Sequence, residues 1–437
     1  MDVLLLSPDA FISFLDSHKI SKFHFVSIDG RLTASHPLLQ PVADLLSSVS
    51  DDYDNHEAFF VQIAPKSRVL QAACVHRTNR GPAAGGVRNW LYNDMEAFFR
   101  DGLRLAKGMT HKNALAGIWW GGGKGVMARN SGLGLGTGAN PTDRNMVYEE
   151  YGKFMSDLHG CYVTAEDVGT GPDDMDAIFR MTRHTTCIAP VLGGSGNPSY
   201  ATAQGVMKGL EAAFKYAGKP LAGATIAVQG AGHVGIPLIH LLFAAQVKSV
   251  VASDIDEHRA DDIRKEFQGK LFALEIVDKS DMSILFRDVD AVCPCATGGI
   301  LNMQSIPLIK SRIICGAANN QLKNMKTDDL LLKQAGIMYI PDFLVNRMGI
   351  VNCADEHVGI IDDDPKLALH LGADWDNSIY NLTLDVLATA DKENKTTQQI
   401  AVALAEERSL INNPCYGHRS IQVINWLVEQ SNPDIKR

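Results

Sequence analysis

Residues 224–235 read ATIAVQGAGHVG, a short apolar run followed by three glycines at the spacing G-x-G-x-x-G. The run predicts a strand at 224–229, and the glycines predict a tight turn that opens a helix. In such a turn the first glycine allows the bend, the second lets the backbone approach a pyrophosphate, and the third lets the helix pack on the strand. The pyrophosphate would lie at the helix N-terminus, where N–H groups and the helix dipole favour an anion. The stretch therefore predicts a dinucleotide site made of Gly230, Ala231, Gly232, His233, Val234 and Gly235.

The next predicted strand, residues 248–254, ends in Asp254. At this place a carboxylate holds the ribose 2′-hydroxyl of a dinucleotide. A carboxylate repels a 2′-phosphate, so Asp254 favours NAD over NADP, while the nearby Arg259 leaves some use of both cofactors open. The alternative interpretation is a strand–helix turn that binds nothing.

The chain around this motif shows a repeated pattern of strands and helices. Two more nearly continuous apolar runs, 290–296 and 311–318, are typical of strands buried on both faces of a parallel sheet. The sequence GGSGNP at 193–198 marks a domain boundary, and the pattern is helical again from about residue 374. We therefore predict an α/β protein of two domains separated by a cleft, with a Rossmann-type NAD domain (197–373) inserted between two parts (1–196 and 374–437) of an α/β substrate-binding and oligomerisation domain.

Three predictions concern local structure near the N-terminal part. Phe98, Leu105 and Met109 recur at helical spacing and predict a helix over 94–112 with Asp94 as its cap. The polar, acid-rich stretch 37–57 predicts a surface loop, and so does the glycine-rich stretch 131–138.

Composition excludes several classes of protein. The chain has 437 residues, 46% of them hydrophobic and 21% charged, and a formal net charge of −9. These values indicate an ordinary globular protein and argue against nucleic acid or an anionic membrane as a partner. No run reaches the roughly 18 apolar residues that a membrane span needs, and acidic residues interrupt the apolar N-terminus, which argues against a secretory signal.

The eight cysteines indicate the cellular compartment. None of them forms a Cys-x-x-Cys pair, so we expect no metal site of that type. They are interpreted as reduced, mostly buried thiols, which predicts a cytoplasmic protein.

A second glycine-rich segment, GIWWGGGKGVM at 117–127, surrounds Lys124. A phosphate loop is rejected because Ile118 occupies the first glycine position and Gly125 follows the lysine. Glycines let a substrate come close to backbone, and a desolvated lysine near another cation has a lowered pKa, so it can act as a base. Lys112 could be that second cation or could hold a carboxylate. The alternative is that each lysine is an ordinary surface charge.

A third segment, TAEDVGTGPDDMD at 164–176, places Glu166 and Asp167 beside glycines. A carboxylate near two lysines can accept and return a proton. The same stretch is also a helix cap, through Thr170 or Asp173, and the two interpretations are compatible.

These segments occur in one chain with GPAAGGVRNW (81–90), GGSGNPSYATAQGV, CATGGILN, CGAANNQLK and YIPDFLVNRMGIVNCADE. In this order the motifs resemble the amino-acid dehydrogenases of the glutamate, leucine, phenylalanine and valine family, most closely the leucine dehydrogenase branch. The resemblance covers roughly residues 68–358.

The resemblance implies a reversible NAD-dependent oxidative deamination of an L-amino acid to a 2-oxo acid, ammonium and NADH, catalysed by a homo-oligomer. It implies that Lys124 activates water, that Lys112 binds the substrate carboxylate and that Asp167 shuttles protons to and from the amine. It also implies that Asn319 lies near the nicotinamide and the substrate.

The resemblance also bears on the side chain of the substrate. Glutamate enzymes of the family carry a lysine at the position of Ala84, so a glutamate side chain would be buried here without a partner. An apolar substrate, leucine or another branched-chain amino acid, is therefore expected, and the small alanine keeps phenylalanine or tryptophan as alternatives. The implied pocket consists of Ala84, Gly85, Ala165, Ile350 and Cys353.

One departure from the family pattern lies at Arg347 and Met348, which replace an Ala-Gly pair. Either both side chains point away from the pocket or they reshape it. A catalytically silent family member with a binding or regulatory role is the remaining alternative, although the chain retains all three polar site residues.

Overall fold

The computed structural model describes residues 3–48, 52–133, 140–361 and 363–431. The chain divides into two compact units. The first unit comprises residues 1–197, 353–360 and 405–437, and the second comprises 198–352 and 361–404.

The first unit is built on a seven-stranded sheet in the order β2-β1-β3-β4-β6-β5-β7. The pairs β2–β1, β1–β3, β3–β4 and β4–β6 are antiparallel, whereas β5 runs parallel to both β6 and β7. Its elements in chain order are α1 (Pro8–Ser17), β1 (Lys22–Ile28), β2 (Arg31–Ala34), α2 (Gln40–Ser48), β3 (Ala58–Ile63), β4 (Leu70–Arg77), β5 (Ala83–Trp90), α3 (Met95–Ala116), β6 (Gly121–Ala128), α4 (Pro141–Asp157), β7 (Tyr162–Ala165) and α5 (Pro172–Phe179).

Helix α3 begins where the sequence predicts. The Asp94 carboxylate accepts a hydrogen bond from the N–H of Ala97, and Gly117 ends the helix with a left-handed φ of 75°. The helix packs on the sheet through aromatic rings: Phe99 lies edge-on to Phe59, with centroids 5.3 Å apart. A Cβ on Gly102 would lie 2.8 Å from the Phe59 ring, so the glycine permits this close approach.

The loop prediction for 37–57 is wrong in its first part. Residues 40–48 form α2, and Val42, Ala43 and Leu46 are buried. Their spacing places them on one helical face, a signal that the acidic stretch after them obscures. Most of the glycine-rich stretch predicted as a loop at 131–138 lies outside the described residues.

The second unit contains a six-stranded, fully parallel sheet in the order β10-β9-β8-β11-β12-β13. Numbered within the unit this is 3-2-1-4-5-6, the order of a dinucleotide-binding Rossmann domain. The elements that begin in this unit are α6 (Ser199–Tyr216), β8 (Thr225–Gln229), α7 (Gly235–Ala244), β9 (Ser249–Asp254), α8 (Ala260–Glu266), β10 (Phe272–Ile276), β11 (Ala291–Pro294), β12 (Ile313–Ile314), α9 (Asp328–Gln334), β13 (Met338–Tyr339), α10 (Asp342–Val345), α11 (Met348–Val358), α12 (Pro365–Leu371), α13 (Ile379–Glu393) and α14 (Thr397–Ser409).

The second unit begins at residue 198, one residue after the predicted start at 197. Its C-terminal bounds differ from the predicted end at 373. Residues 361–404 belong to the second unit because α12 and α13 pack against α6. The last residues of α11 and α14, and helix α15 (Arg419–Ser431), belong to the first unit. Among the described helices, none combines the length and apolar character needed to cross a membrane.

Candidate active site

Lys124 lies on β6 among glycines, and protein atoms occupy the space that a side chain at these glycine positions would need. A Cβ on Gly122 would lie 1.9 Å from the Thr110 hydroxyl of α3, and one on Gly123 would lie 2.7 Å from the ring of Tyr162. The interpretation that these glycines admit a substrate is therefore wrong, since protein atoms occupy that space. They instead let α3 pack closely on one face of β6 and the Tyr162 ring on the other.

In this position the Lys124 side chain is buried. The residue is 4% exposed, and its ammonium lies 2.9 Å from Oδ1 of Asp167. Asp167 follows the end of β7, and β7 and β6 both run parallel to β5. The two side chains that the sequence singles out for proton transfer are thus in direct contact.

The electrostatics of this pair are asymmetric. Burial lowers the pKa of Lys124; the neighbouring Asp167 opposes this effect, and Arg88 adds to it. Burial alone would raise the pKa of Asp167, but Lys124 and Arg88 together hold it well below its usual range. Asp167 is therefore ionised as long as Lys124 is protonated, and burial favours the loss of a proton from Lys124.

The sequence analysis missed Arg88, which lies on β5. Its Nε donates to Oδ2 of Asp167 at 3.1 Å, and its Nη1 contacts both oxygens of Asp101 at 3.2–3.3 Å. Arg104 and the Tyr92 hydroxyl donate to Asp101 in turn. A single charged residue in a strand of mostly small and apolar residues was the available signal. Arg88 is thus a cation that acts on Lys124.

Glu166 neighbours the pair. Its Oε2 is buried and has no hydrogen-bond partner among the described residues. Burial, followed by the charges of Asp167 and Asp174, raises its pKa to about 7. A carboxyl that titrates near neutrality therefore adjoins Asp167.

Lys112 is half-buried on α3, near the helix end. The next residue, Asn113, fixes this part of the helix: its Nδ2 donates to the carbonyl of Gly121 at 2.6 Å and to that of Ala84 at 3.3 Å. These bonds tie the helix turn that carries Lys112 to β5 and β6.

Two of the predicted pocket residues of the first unit, Ala84 and Ala165, lie on the strands that position this pair. Ala84 pairs with Gly122 and with Val163, and Ala165 is the last residue of β7. Cys353 lies on the part of α11 that belongs to the first unit. Ile350 is buried on the same helix but belongs to the second unit.

The glycine loop of the second unit fits a dinucleotide. Gly230 has a φ of 93°, and a Cβ on Gly235 would lie 1.9 Å from the Gly230 carbonyl oxygen, so both positions require glycine for the turn itself. A Cβ on Gly232, by contrast, would meet no protein atom within 4 Å. The packing does not demand glycine there, whereas close approach of a pyrophosphate does.

Asp254 lies at the end of β9, beside this loop. Its Oδ2 accepts the N–H of Ala231 at 2.7 Å, and its Oδ1 accepts the N–H groups of Ile255 and Asp256. A carboxylate offers about four lone-pair sites, so these three bonds leave capacity for one hydroxyl. His233 is exposed in the loop, while Ala231 is buried.

Asn319 is an exposed residue in the loop after β12. Its side-chain oxygen accepts a hydrogen bond from Nδ2 of Asn346 at 2.9 Å, and that same amide also donates to the Ala317 carbonyl. The amide of Asn319 is thereby oriented within the second unit.

Arg347 and Met348 lie in the interior of the second unit. Arg347 is fully buried, donates a hydrogen bond to the Asn377 carbonyl and lies 3.5 Å from Nδ1 of His370. The Met348 side chain packs against Gly205. Both side chains therefore lie in the packed interior of the second unit, and their effect on the substrate pocket stays a prediction.

Among the described residues, no group of three or more His, Cys, Asp or Glu side chains could hold a metal ion. All eight cysteines are free thiols.

Comparisons with known proteins agree with this geometry. Residues 61–184 match the family model described as the Glu/Leu/Phe/Val dehydrogenase dimerisation domain, and residues 193–409 match that of glutamate/leucine/phenylalanine/valine dehydrogenase. The chain is 38% identical to leucine dehydrogenase of Geobacillus stearothermophilus over 82% of its length and 91% of that protein. It is 37% identical to an L-tryptophan dehydrogenase of Nostoc punctiforme over 81% and 93%.

The solved structures give the same assignment. The crystal structure of L-tryptophan dehydrogenase from Nostoc punctiforme superimposes with a TM-score of 0.63 and 32% identity, covering 81% of this chain and 96% of that one. The motifs, the fold of both units and these matches lead to one conclusion: the chain belongs to the glutamate, leucine, phenylalanine and valine dehydrogenase family.

Proposed function

We propose that this protein catalyses the reversible, NAD-dependent oxidative deamination of an apolar L-amino acid to its 2-oxo acid, ammonium and NADH. The buried contact between Lys124 and Asp167, at 2.9 Å, carries the proposal. A buried lysine with a lowered pKa is suited to act as a base toward a water molecule in the site. The ionised carboxylate beside it is suited to stabilise positive charge.

The glycine loop and Asp254 would hold the dinucleotide. When bound, NAD supplies the acceptor for a hydride from the Cα of the amino acid. The backbone of Gly232 offers the close approach that the pyrophosphate needs, and Asp254 retains capacity for a ribose hydroxyl. The same carboxylate favours NAD over NADP because it repels a 2′-phosphate.

Proton movement then rests on the first unit. Neutral Lys124 takes a proton from water as the water oxygen attacks the imino carbon of the substrate. When Lys124 is protonated, its positive charge keeps Asp167 ionised. When Lys124 loses its proton, the pKa of Asp167 rises and Asp167 becomes a stronger base. The two groups can therefore alternate, Asp167 exchanging protons with the substrate nitrogen while Lys124 serves the water.

Two further residues would orient the substrate. The hydrogen bonds from Asn113 to β5 and β6 fix the helix turn that carries the neighbouring Lys112. This supports Lys112 as the cation that binds the substrate carboxylate. The oriented amide of Asn319 supports its placement beside the nicotinamide and the substrate. Both roles follow the family pattern.

An aliphatic side chain is the favoured substrate feature. The first unit offers Ala84, Gly85, Ala165 and Cys353 to the pocket, and none of these carries a charge to pair with a glutamate side chain. The similarity to leucine dehydrogenases supports leucine or a branched-chain relative.

An aromatic substrate is the second candidate. The small side chain of Ala84 and the similarity to tryptophan dehydrogenases of Nostoc punctiforme both favour it. For assembly, we propose a homo-oligomer, supported by the match of residues 61–184 to a dimerisation domain. Light scattering after size-exclusion chromatography tests the assembly.

The function is tested by measuring NADH formation with NAD and each of the twenty amino acids in turn. We expect turnover with aliphatic L-amino acids, and mass spectrometry should identify the matching 2-oxo acid. If no amino acid supports NADH formation, and no 2-oxo acid is reductively aminated with ammonium, the proposal is wrong.

A further inference from the structure

Cys187 lies beside the carboxylate segment of the site. The segment that contains it runs parallel to β7, with Thr185 opposite Thr164. The N–H of Thr186 donates to the Thr164 carbonyl at 3.0 Å. This register brings Cys187 next to Glu166, whose backbone lies within hydrogen-bonding reach of the thiol.

The backbone at Cys187 is held in a conformation that a side chain rarely adopts. Its φ is 63°, in the left-handed region, which is strained for a non-glycine residue. Glu356 of α11 holds this conformation: its carboxylate accepts the N–H of Cys187 at 2.8 Å and the N–H and hydroxyl of Ser195 at 3.0 and 2.5 Å.

Cys353 is one helical turn before Glu356, so the same helix that clamps the loop also presents a second thiol. The sulfur atoms of Cys187 and Cys353 are 3.2 Å apart, and the two residues are 1% and 3% exposed. The contact leaves the Cys353 side chain no room to move toward the loop.

We propose that Cys187 is a specificity-determining residue that, by supporting Cys353, limits the depth of the side-chain pocket and favours aliphatic over aromatic amino acids. This inference rests on the proposed function and on Cys353 as a pocket residue. A shift of Cys353 into the space of the Cys187 thiol would deepen the pocket by about one heavy atom. In an apolar pocket, one such group changes the ratio of kcat/KM between two substrates by roughly 10- to 200-fold.

The test compares kcat/KM for L-leucine and L-phenylalanine in the wild type and in Cys187→Gly. Glycine is compatible with the left-handed backbone, so this variant should fold. We expect the phenylalanine-to-leucine ratio to rise about tenfold or more. Cys187→Ser, which keeps the side-chain size, should leave the ratio nearly unchanged, as should the exposed control Cys415→Ser.

A second variant tests the contact itself. Cys353→Leu should lower the phenylalanine-to-leucine ratio, and combining it with Cys187→Gly should return the ratio toward the wild-type value, because the larger side chain fills the vacated space. An active Cys187→Gly enzyme with an unchanged ratio would overturn the inference, as would a wild type that prefers phenylalanine. Absence of any amino-acid oxidation in the wild type would instead overturn the proposed function.

Discussion

Arg88 and Asp167 form an ion pair in which Nε of the guanidinium lies 3.1 Å from Oδ2 of the carboxylate. Lys124 binds the other oxygen, Oδ1, at 2.9 Å, so one carboxylate separates two cations. Arg88 orients Asp167, and its positive charge adds to the lowering of the Lys124 pKa that burial causes and Asp167 opposes. We therefore predict that Arg88 positions both groups that we propose for proton transfer.

Arg88→Gln should shift the pH dependence of turnover. Loss of the guanidinium removes a repulsion that lowers the pKa of Lys124, so that pKa rises and the fraction of neutral lysine at a given pH falls. We expect the rise of kcat/KM with pH to move to higher pH and kcat to fall about 10- to 100-fold because Asp167 loses its orientation.

Arg104→Gln is the matched control for this variant. Arg104 contacts Asp101, the other partner of Arg88, but its own side chain is 52% exposed. It should change kcat by less than about twofold, as exposed ion pairs contribute little. A normal pH profile in Arg88→Gln would contradict the positioning role.

Lys124→Ala should lower turnover by about 10²- to 10⁴-fold, the usual contribution of a general base, without loss of NADH binding. NADH fluorescence measures the binding separately. Lys124→Arg should not restore activity, because a guanidinium stays protonated at the pH of the assay. Undiminished turnover in Lys124→Ala would show that another group activates the water.

The sequence predicts the dinucleotide loop well because its requirements are local. Gly230 and Gly235 are set by the turn and by helix packing, and both follow from the chain between a strand and its helix. Lys124 and Asp167 were likewise recognisable from their segments. Their contact, however, depends on strand order, with β5 between β6 and β7.

What the sequence could not supply is the surroundings of these groups. The glycines around Lys124 resemble a substrate cradle in sequence, yet Thr110 and Tyr162 fill that space. Arg88 is separated from Asp167 by 79 positions, so no local pattern reports their pairing. The domain boundary near 373 was misplaced for a similar reason, since helical patterns do not show which unit a helix packs against.

The first unit should lose stability in mild acid because of His56. Burial lowers the pKa of His56 from 6.5 to about 4, while its Nε2–H donates to the Leu103 carbonyl at 2.8 Å. The unfolded chain therefore binds a proton that the folded protein excludes. The stability that this provides is complete above pH 6.5 and is lost as the pH falls toward 4, by about 3 kcal/mol.

Thermal unfolding between pH 7 and pH 4 measures this effect. His56→Gln keeps a hydrogen-bond donor but does not titrate, so its melting temperature should depend less on pH than that of the wild type. The exposed His258→Gln is the control and should follow the wild-type curve. Equal pH dependence in all three proteins would contradict the assignment to His56.

Arg347→Ala should affect stability and leave substrate preference unchanged. The side chain is fully buried and donates to the Asn377 carbonyl, so truncation leaves both a cavity and an unpaired acceptor. We expect a loss of about 2–4 kcal/mol in the free energy of unfolding. A changed ratio of kcat/KM for leucine and phenylalanine would instead support the interpretation that Arg347 reshapes the pocket.

Asp254→Asn should weaken the preference for NAD over NADP. The amide oxygen can still accept the N–H of Ala231, so the glycine loop should keep its conformation, but the negative charge that repels a 2′-phosphate is gone. We expect the ratio of kcat/KM for NADP to that for NAD to rise about tenfold or more, chiefly through a lower KM for NADP. The exposed Asp261→Asn, which removes a charge of the same sign from the nearby helix α8, controls for a general electrostatic effect. If both variants shift the ratio equally, the discrimination arises from net charge around the site and not from the Asp254 carboxylate.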